Sequence, residues 1–177
     1  ESNKENLYFV TEIIKKFSIK KKIFFKTLKN FNGLKYRQQI IHRSKYLTII
    51  NDSKATSYSS SVGMLKSLSK VYWIVGGIAK KGDKFLLPKS KCKNFQVYIF
   101  LKKKNIFINH LKNKIDCQYF VDLKSLFKKI LLDIKKKKYR ENKTILFSPA
   151  AASFDNFKNF EERGKYFNNL VKKMINV

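Results

Sequence analysis

From about residue 35 onward, short apolar segments alternate with longer amphipathic ones. The apolar segments predict strands, namely YLTII (46–50), VYWIV (71–75), FQVYIFL (95–101) and KTILF (143–147). The amphipathic segments predict helices, namely YSSSVGMLKSL (58–68), NIFINHLKN (105–113), DLKSLFKKILLDIKKK (122–137) and a last helix after the final strand. Because strands alternate with helices, we expect an α/β fold, with a mostly parallel sheet flanked by helices.

The first 34 residues have a different pattern. Apolar side chains recur at helical spacing in residues 3–17 and again in residues 18–31, which predicts two helices. The Asn32-Gly33 pair predicts the end of the second helix. Two such helices make a poor domain on their own. We therefore expect residues 1–34 to belong to a larger unit and residues 35–177 to form a second domain.

The formal net charge of +28 suggests an anionic partner, such as a nucleic acid, an anionic membrane or an anionic substrate. The lysines are dispersed, however, with short runs at residues 20–22, 102–104 and 135–138. Abundant Lys, Ile, Asn and Phe together are typical of an AT-rich coding sequence. A solvated surface is thus favoured over a specific nucleic-acid or membrane partner. A basic nucleic-acid-binding module stays the alternative, and it would need clustered lysines and aromatic side chains on one face.

Several classes of protein fit the sequence poorly. No apolar run approaches the ~18 residues of a membrane span, and no segment resembles a signal peptide. Cys92 and Cys117 are too few for a disulfide framework or a zinc site, which favours a reducing cytoplasm. His42 and His110 have no Cys or His nearby in the sequence, so we expect no metal site.

Three of the predicted strands run into polar loops: NDSKAT (51–56), GGIAKKGD (76–83) and SPAAASFDNFKNFEERG (148–164). In an open α/β sheet, ligands bind outside the carboxyl ends of the strands. The loops carry cations and hydroxyls, namely Lys54, Lys80, Lys81, Ser53, Thr56 and Ser153. Thr56 and Ser153 also stand where a following helix would begin, with free backbone N–H groups. Together these features predict an anion site.

Each loop also has a simpler explanation. NDSKAT could be a turn with a helix N-cap. GGIAKKGD has the glycine spacing of a phosphate loop, but Asp83 occupies the position of its lysine. The chain therefore carries no phosphate loop of its own. The Gly76-Gly77 pair would permit a close approach of the backbone to a ligand.

The sequence resembles the Mur ligase family. Four motifs occur in the family's order and approximate spacing: GLKYR (33–37), NDSKAT, the Gly-Gly pair followed by Lys80, and the alanine-rich motif at 148–164. The resemblance is to the C-terminal part of the member that adds D-glutamate, and it extends over essentially the whole chain. SNKEN (2–6) is similar to the end of the family's central ATPase domain. The resemblance implies a Rossmann-like third domain.

The resemblance also implies an activity. The family enzyme uses ATP to phosphorylate the carboxylate of UDP-MurNAc-L-alanine, and the amine of D-glutamate then attacks the acyl phosphate. ATP and Mg²⁺ are expected to bind mainly to upstream domains absent from this chain, which would leave it inactive alone. We expect a cytoplasmic monomer. A related ATP-dependent ligase, folylpolyglutamate synthase, is a second alternative that should lack NDSKAT.

Site residues follow from the same resemblance. Thr56 and Lys80 match the residues that hold the α-carboxylate of D-glutamate. Ser153 and the backbone of Phe160 match those that hold its side-chain carboxylate. Lys54 matches a catalytic residue near the reacting phosphate.

Four further positions match residues that contact ATP. Arg37 matches a phosphate contact, Asp52 matches a residue near the ribose, and Asn3 and Asn6 match the adenine end. Tyr36 replaces the histidine that is usual in the family.

The resemblance gives the alanine-rich motif an expected purpose. Two carboxylates lose water in such a pocket, and charge-assisted hydrogen bonds worth ~1.5–3 kcal/mol each make that tolerable. Alanines 150–152 are expected to let the chain pass close to the ligand. Ser153 and a helix beginning just beyond it are expected to supply the donors.

Overall fold

The protein is described by a computed structural model that covers residues 2–101, 109–136 and 141–175. The chain forms two units, Glu1–Gly33 and Leu34–Val177. The six strands that the described residues form all lie in the second unit.

Both predicted helices of the first unit are present. They are α1 (Ser2–Lys16) and α2 (Lys21–Asn30). No described residue of this unit is buried, and apolar side chains such as Leu7, Val10 and Leu28 are more than 40% exposed. Within the described residues, the helical pair therefore has no core of its own.

The second unit contains six strands and four helices in the described residues. Its elements in chain order are β1 (Gln39–Arg43), β2 (Leu47–Asn51), α3 (Tyr58–Ser67), β3 (Val71–Val75), β4 (Phe95–Phe100), α4 (Asn109–Lys112), β5 (Cys117–Phe120), α5 (Leu123–Lys136), β6 (Lys143–Phe147) and α6 (Phe160–Ile175). A short 3-10 turn at Lys89–Cys92 precedes β4. The start of the helix predicted at residues 105–113 lies outside the described residues.

The strands form one sheet in the order β1-β2-β6-β3-β4-β5. Neighbouring strands pair in parallel from β2 to β5, whereas β1 pairs antiparallel with β2. The prediction of an α/β fold with a mostly parallel sheet is therefore confirmed. The two strands that were not predicted, β1 and β5, are the edges of the sheet. Both are only partly buried, so they lack the continuous apolar run that marked the central strands.

Two apolar clusters fill the space on the two faces of the sheet. Along β3, Val71, Trp73 and Val75 belong to the cluster that includes residues of α3, while Tyr72 and Ile74 belong to the cluster that includes residues of α5 and α6. All five side chains of β3 are buried. The continuous apolar sequence of this strand follows from helices covering both faces.

The position of β6 determines where a ligand site can form. This strand comes last in the chain, yet it lies between β2 and β3. The carboxyl ends of β2, β6 and β3 therefore emerge side by side at one edge of the sheet. Such a reversal of strand order is where open α/β sheets bind ligands.

Candidate functional site

Three loops leave the sheet together at this edge. We call them the β2 loop (residues 52–57), the β3 loop (76–84) and the β6 loop (148–159). The Ile78 and Ala152 backbones exchange two hydrogen bonds of 2.9 Å, which pair the β3 and β6 loops. The Asp52 N–H donates to the Phe147 carbonyl at 2.7 Å, which ties the β2 loop to the end of β6. The expected convergence of the three loops is confirmed.

The first two glycines of the β3 loop, Gly76 and Gly77, make room for neighbouring backbone. A Cβ placed on Gly76 would lie 2.2 Å from the Phe100 carbonyl oxygen, and one on Gly77 would lie 2.2 Å from the Ala152 carbonyl oxygen. Gly77 also has φ +125°, where side chains are disfavoured. The glycines thus allow close approach of neighbouring backbone rather than of a ligand.

The alanine run packs inward. Ala150 and Ala151 have no exposed surface and belong to the apolar cluster on the α3 face. Ala152 pairs with Ile78 of the β3 loop. The side chains of Ala150 and Ala151 therefore pack in the core, and the expectation that the alanine run passes close to a ligand stays a prediction.

Helix α3 begins at Tyr58, the first residue of the predicted segment 58–68, but its cap is not the expected residue. Its N-cap is Ser57, not Thr56, and Ser57 forms a reciprocal capping box with Ser60. The Asp83 carboxylate accepts the Tyr58 N–H, so the β3 loop also caps this helix. Protein groups therefore already satisfy N–H groups that were expected to be free for a ligand.

Helix α6 begins at Phe160, well beyond Ser153. Ser153 is 3% exposed, and its carbonyl accepts the N–H groups of Asn156 and Phe157 in a turn. The helix cap is instead Asn159, whose Oδ1 accepts the Glu162 N–H at 2.8 Å. The expected helix start at Ser153 is wrong, and a purely capping role for this residue is not supported.

A residue that the sequence did not single out joins the loops. Arg163, in α6, has no exposed surface. Its Nε donates to Ser53 Oγ at 3.1 Å, its Nη2 to the Ser53 carbonyl at 2.8 Å, and its Nη1 to the Ala151 carbonyl at 2.9 Å. Burial lowers the pKa of Arg163 to about 10, with the charge of Asp155 acting in the opposite direction. Arg163 is therefore protonated at neutral pH and links the β2 and β6 loops.

Two of the predicted site residues lie in contact. The Lys54 ammonium is 3.9 Å from the centroid of the Phe160 ring. Both side chains are half-buried. Ser53 Oγ donates to the Phe160 carbonyl at 2.9 Å, which fixes the start of α6 against the β2 loop.

Asp52 is held inside the protein. It is 5% exposed, its Oδ1 accepts the Gln38 N–H at 3.2 Å, and its Oδ2 accepts the Ser148 hydroxyl at 3.0 Å. Burial raises the pKa of Asp52 to about 6, against the opposing effects of Ser148, Gln38 and the charge of Arg37. Each carboxylate oxygen of Asp52 accepts one protein donor and keeps a second acceptor position, so the expected ribose contact stays a prediction.

The remaining predicted residues are more accessible. Thr56, Lys80 and Arg37 are exposed, the first two on the β2 and β3 loops. In the first unit, Asn6 is exposed on α1, and the side chain of Asn3 lies outside the described residues. The sheet edge therefore presents cations and hydroxyls beside buried polar supports, an arrangement suited to an anionic ligand.

Comparison with known proteins shows which proteins the chain is similar to. No model of a known protein family matches the chain. Three similar curated proteins are all named UDP-N-acetylmuramoylalanine–D-glutamate ligase. The one from Wolbachia sp. subsp. Brugia malayi is 33% identical over 173 residues, covering 98% of this chain and 34% of the relative. The chain is homologous to one part of these Mur ligases.

Two further Mur ligases show the same extent of similarity. The Francisella philomiragia protein is 33% identical over 178 residues, covering 98% of this chain and 42% of the relative. The Rickettsia bellii protein is 35% identical over 168 residues, covering 93% of this chain and 36% of the relative. The chain thus spans 34 to 42% of the length of these Mur ligases. In the described part of the chain, no helix combines the length and the apolar character needed to cross a membrane.

Proposed function

We propose that the chain is the C-terminal, D-glutamate-binding part of a UDP-N-acetylmuramoylalanine–D-glutamate ligase. The observation that carries this proposal is the 33% identity to proteins of that name over 98% of the chain. Residues 1–34 would complete the central ATP-binding domain, and residues 35–177 would form the last domain. The exposed apolar side chains of α1 and α2 support this division, because a larger domain would cover them.

In the complete enzyme, we propose that D-glutamate binds at the edge where the three loops converge. Lys80 and Thr56 lie exposed on the β3 and β2 loops and would hold the α-carboxylate. Ser153 would contact the side-chain carboxylate from the β6 loop. The Lys54 ammonium would stabilise negative charge on the acyl phosphate as the amine of D-glutamate attacks.

ATP and Mg²⁺ would be held mainly by parts of the ligase outside this chain, and ATP would supply the phosphoryl group that activates the carboxylate of UDP-MurNAc-L-alanine. The exposed Arg37 fits a phosphate contact, and Asp52 would lie near the ribose. Among the described residues, His, Cys, Asp and Glu side chains form no group of three that could hold a metal ion. A cytoplasmic, monomeric enzyme is part of the proposal.

Substitution of the two proposed carboxylate holders tests the site. The chain would be fused to the part of the Francisella philomiragia ligase that it does not cover. Lys80→Ala should lower kcat/KM for every amino-acid substrate, and Ser153→Ala should lower it selectively for D-glutamate. The loss of one charge-assisted hydrogen bond predicts a decrease of roughly 10- to 150-fold.

Lys81→Ala is the matched control, because Lys81 is also exposed and lies next to Lys80. It should leave kcat/KM within about 2-fold of the parent, the range of an uninvolved surface charge. The melting temperature of each variant would be measured beside the kinetics. A Ser153→Ala enzyme that melts early yet keeps its preference for D-glutamate would show that Ser153 has only a structural role.

A further inference from the structure

The ring of Phe160 has a contact that the resemblance to Mur ligases did not suggest. That resemblance gave only the backbone of Phe160 a part in the site. The structure places the Lys54 ammonium 3.9 Å from the centroid of the ring. A cation at this distance from a ring face is attracted by the negative face of the π-system.

We propose that the Phe160 ring is a positioning group. It would orient the Lys54 ammonium toward the anionic group that binds where the β2, β3 and β6 loops converge. The inference rests on the proposed function and adds a role for a side chain to it. An aromatic ring suits this purpose because it orients a cation without cancelling its charge. A carboxylate in the same place would neutralise Lys54 and compete with the incoming anion.

Hydrogen bonds hold the backbone on both sides of the contact between the Phe160 ring and the Lys54 ammonium. Ser53, next to Lys54, donates its hydroxyl to the Phe160 carbonyl at 2.9 Å. Arg163, one turn further along α6, donates to the Ser53 carbonyl at 2.8 Å. The Lys54 N–H donates to the Tyr36 carbonyl at 3.0 Å. The backbones that carry the ring and the lysine are therefore tied together.

A packing role alone accounts poorly for the ring. Phe160 is only half-buried, and among the described residues it belongs to neither of the two apolar clusters. By contrast, Phe167 further along α6 is fully buried in the cluster on the α5 and α6 face. Within the described residues, the feature that distinguishes the Phe160 ring is therefore its contact with the Lys54 ammonium.

The first test uses nuclear magnetic resonance on the 177-residue protein without ligand. A ring face shields protons above it, so the Lys54 ε-methylene signal should lie upfield of the Lys80 signal. Phe160→Leu should move the Lys54 signal to the ordinary lysine position, and Phe160→Tyr should leave it upfield. A Lys54 signal at the ordinary position in the unsubstituted protein would overturn the proposal.

The second test uses the ligase fusion. Phe160→Leu should lower kcat/KM for D-glutamate roughly 2- to 30-fold, the range for loss of one cation–π contact, while Phe160→Tyr stays near the parent value. In a Lys54→Met background, Phe160→Leu should have no further effect. Equal losses for Leu and Tyr, or a Leu loss that persists without Lys54, would overturn the positioning role. If the unsubstituted fusion is active on another amino acid only, the proposed function fails, and the same comparison is made with that substrate.

Discussion

Replacing Arg163 with alanine is expected to lower the free energy of unfolding by about 3–5 kcal/mol. The Arg163 side chain is completely buried, so its removal leaves a cavity. The Ser53 carbonyl, the Ser53 hydroxyl and the Ala151 carbonyl would each lose a donor. The β2 and β6 loops would then lose their shared support, and the candidate site at these loops would lose its shape.

Denaturant unfolding measures this effect directly. Arg43→Ala is the matched control, because Arg43 is exposed on the edge strand β1, and it should change the free energy of unfolding by no more than about 0.5 kcal/mol. The free energy of unfolding of Arg163→Lys should lie between those of Arg163→Ala and Arg43→Ala, since lysine keeps the charge but lacks the forked donors of arginine. An Arg163→Ala protein that unfolds at the same denaturant concentration as Arg43→Ala would contradict the structural role of Arg163.

Replacing Gly77 with alanine is expected to cost about 2–4 kcal/mol. The added Cβ would lie 2.2 Å from the Ala152 carbonyl oxygen, and φ is +125°. Backbone must therefore move, and the pairing between Ile78 and Ala152 joins this position to the β6 loop. We expect the variant to separate the β3 and β6 loops.

Substitutions at two other glycines separate the cost of backbone strain from the cost of steric overlap. Gly82 has φ +78° with open space around it, so Gly82→Ala should show backbone strain alone, about 1–2 kcal/mol. Gly63 lies in α3 with nothing within 4 Å, so Gly63→Ala should stabilise the protein by about 0.5–1 kcal/mol. Thermal unfolding of the three variants should give Gly63→Ala the highest melting temperature, Gly82→Ala an intermediate one and Gly77→Ala the lowest. A Gly77→Ala protein as stable as Gly63→Ala would contradict the close backbone approach.

The sequence predicted the central sheet well, for a physical reason. The ends of β3 and β6 agree with the predicted segments VYWIV and KTILF, because strands covered on both faces must be apolar throughout. The edge strands β1 and β5 were missed, since half-exposed strands have no such signature. The convergence of the three loops could be predicted because parallel strands end at the same edge.

The interior of the site could not be predicted in the same way. Arg163 lies in an amphipathic helix among charged residues, and only long-range packing shows that it is buried. Both expected cap positions were wrong: Thr56 and Ser153 are good capping residues, but Ser57 caps α3 and Asn159 caps α6. The resemblance to Mur ligases suggested the residues of the site, whereas the structure shows which side chains support it.

The most direct test of the proposed D-glutamate site is the incorporation of labelled D-glutamate by a complete ligase that contains this chain. We expect the fusion with the Francisella philomiragia part to form product from ATP, UDP-MurNAc-L-alanine and D-glutamate, and to form none with L-glutamate. The 177-residue chain alone should release no phosphate from ATP. A folded fusion that incorporates L-glutamate as well as D-glutamate, or that incorporates neither while the unaltered Francisella enzyme is active, would contradict the proposal.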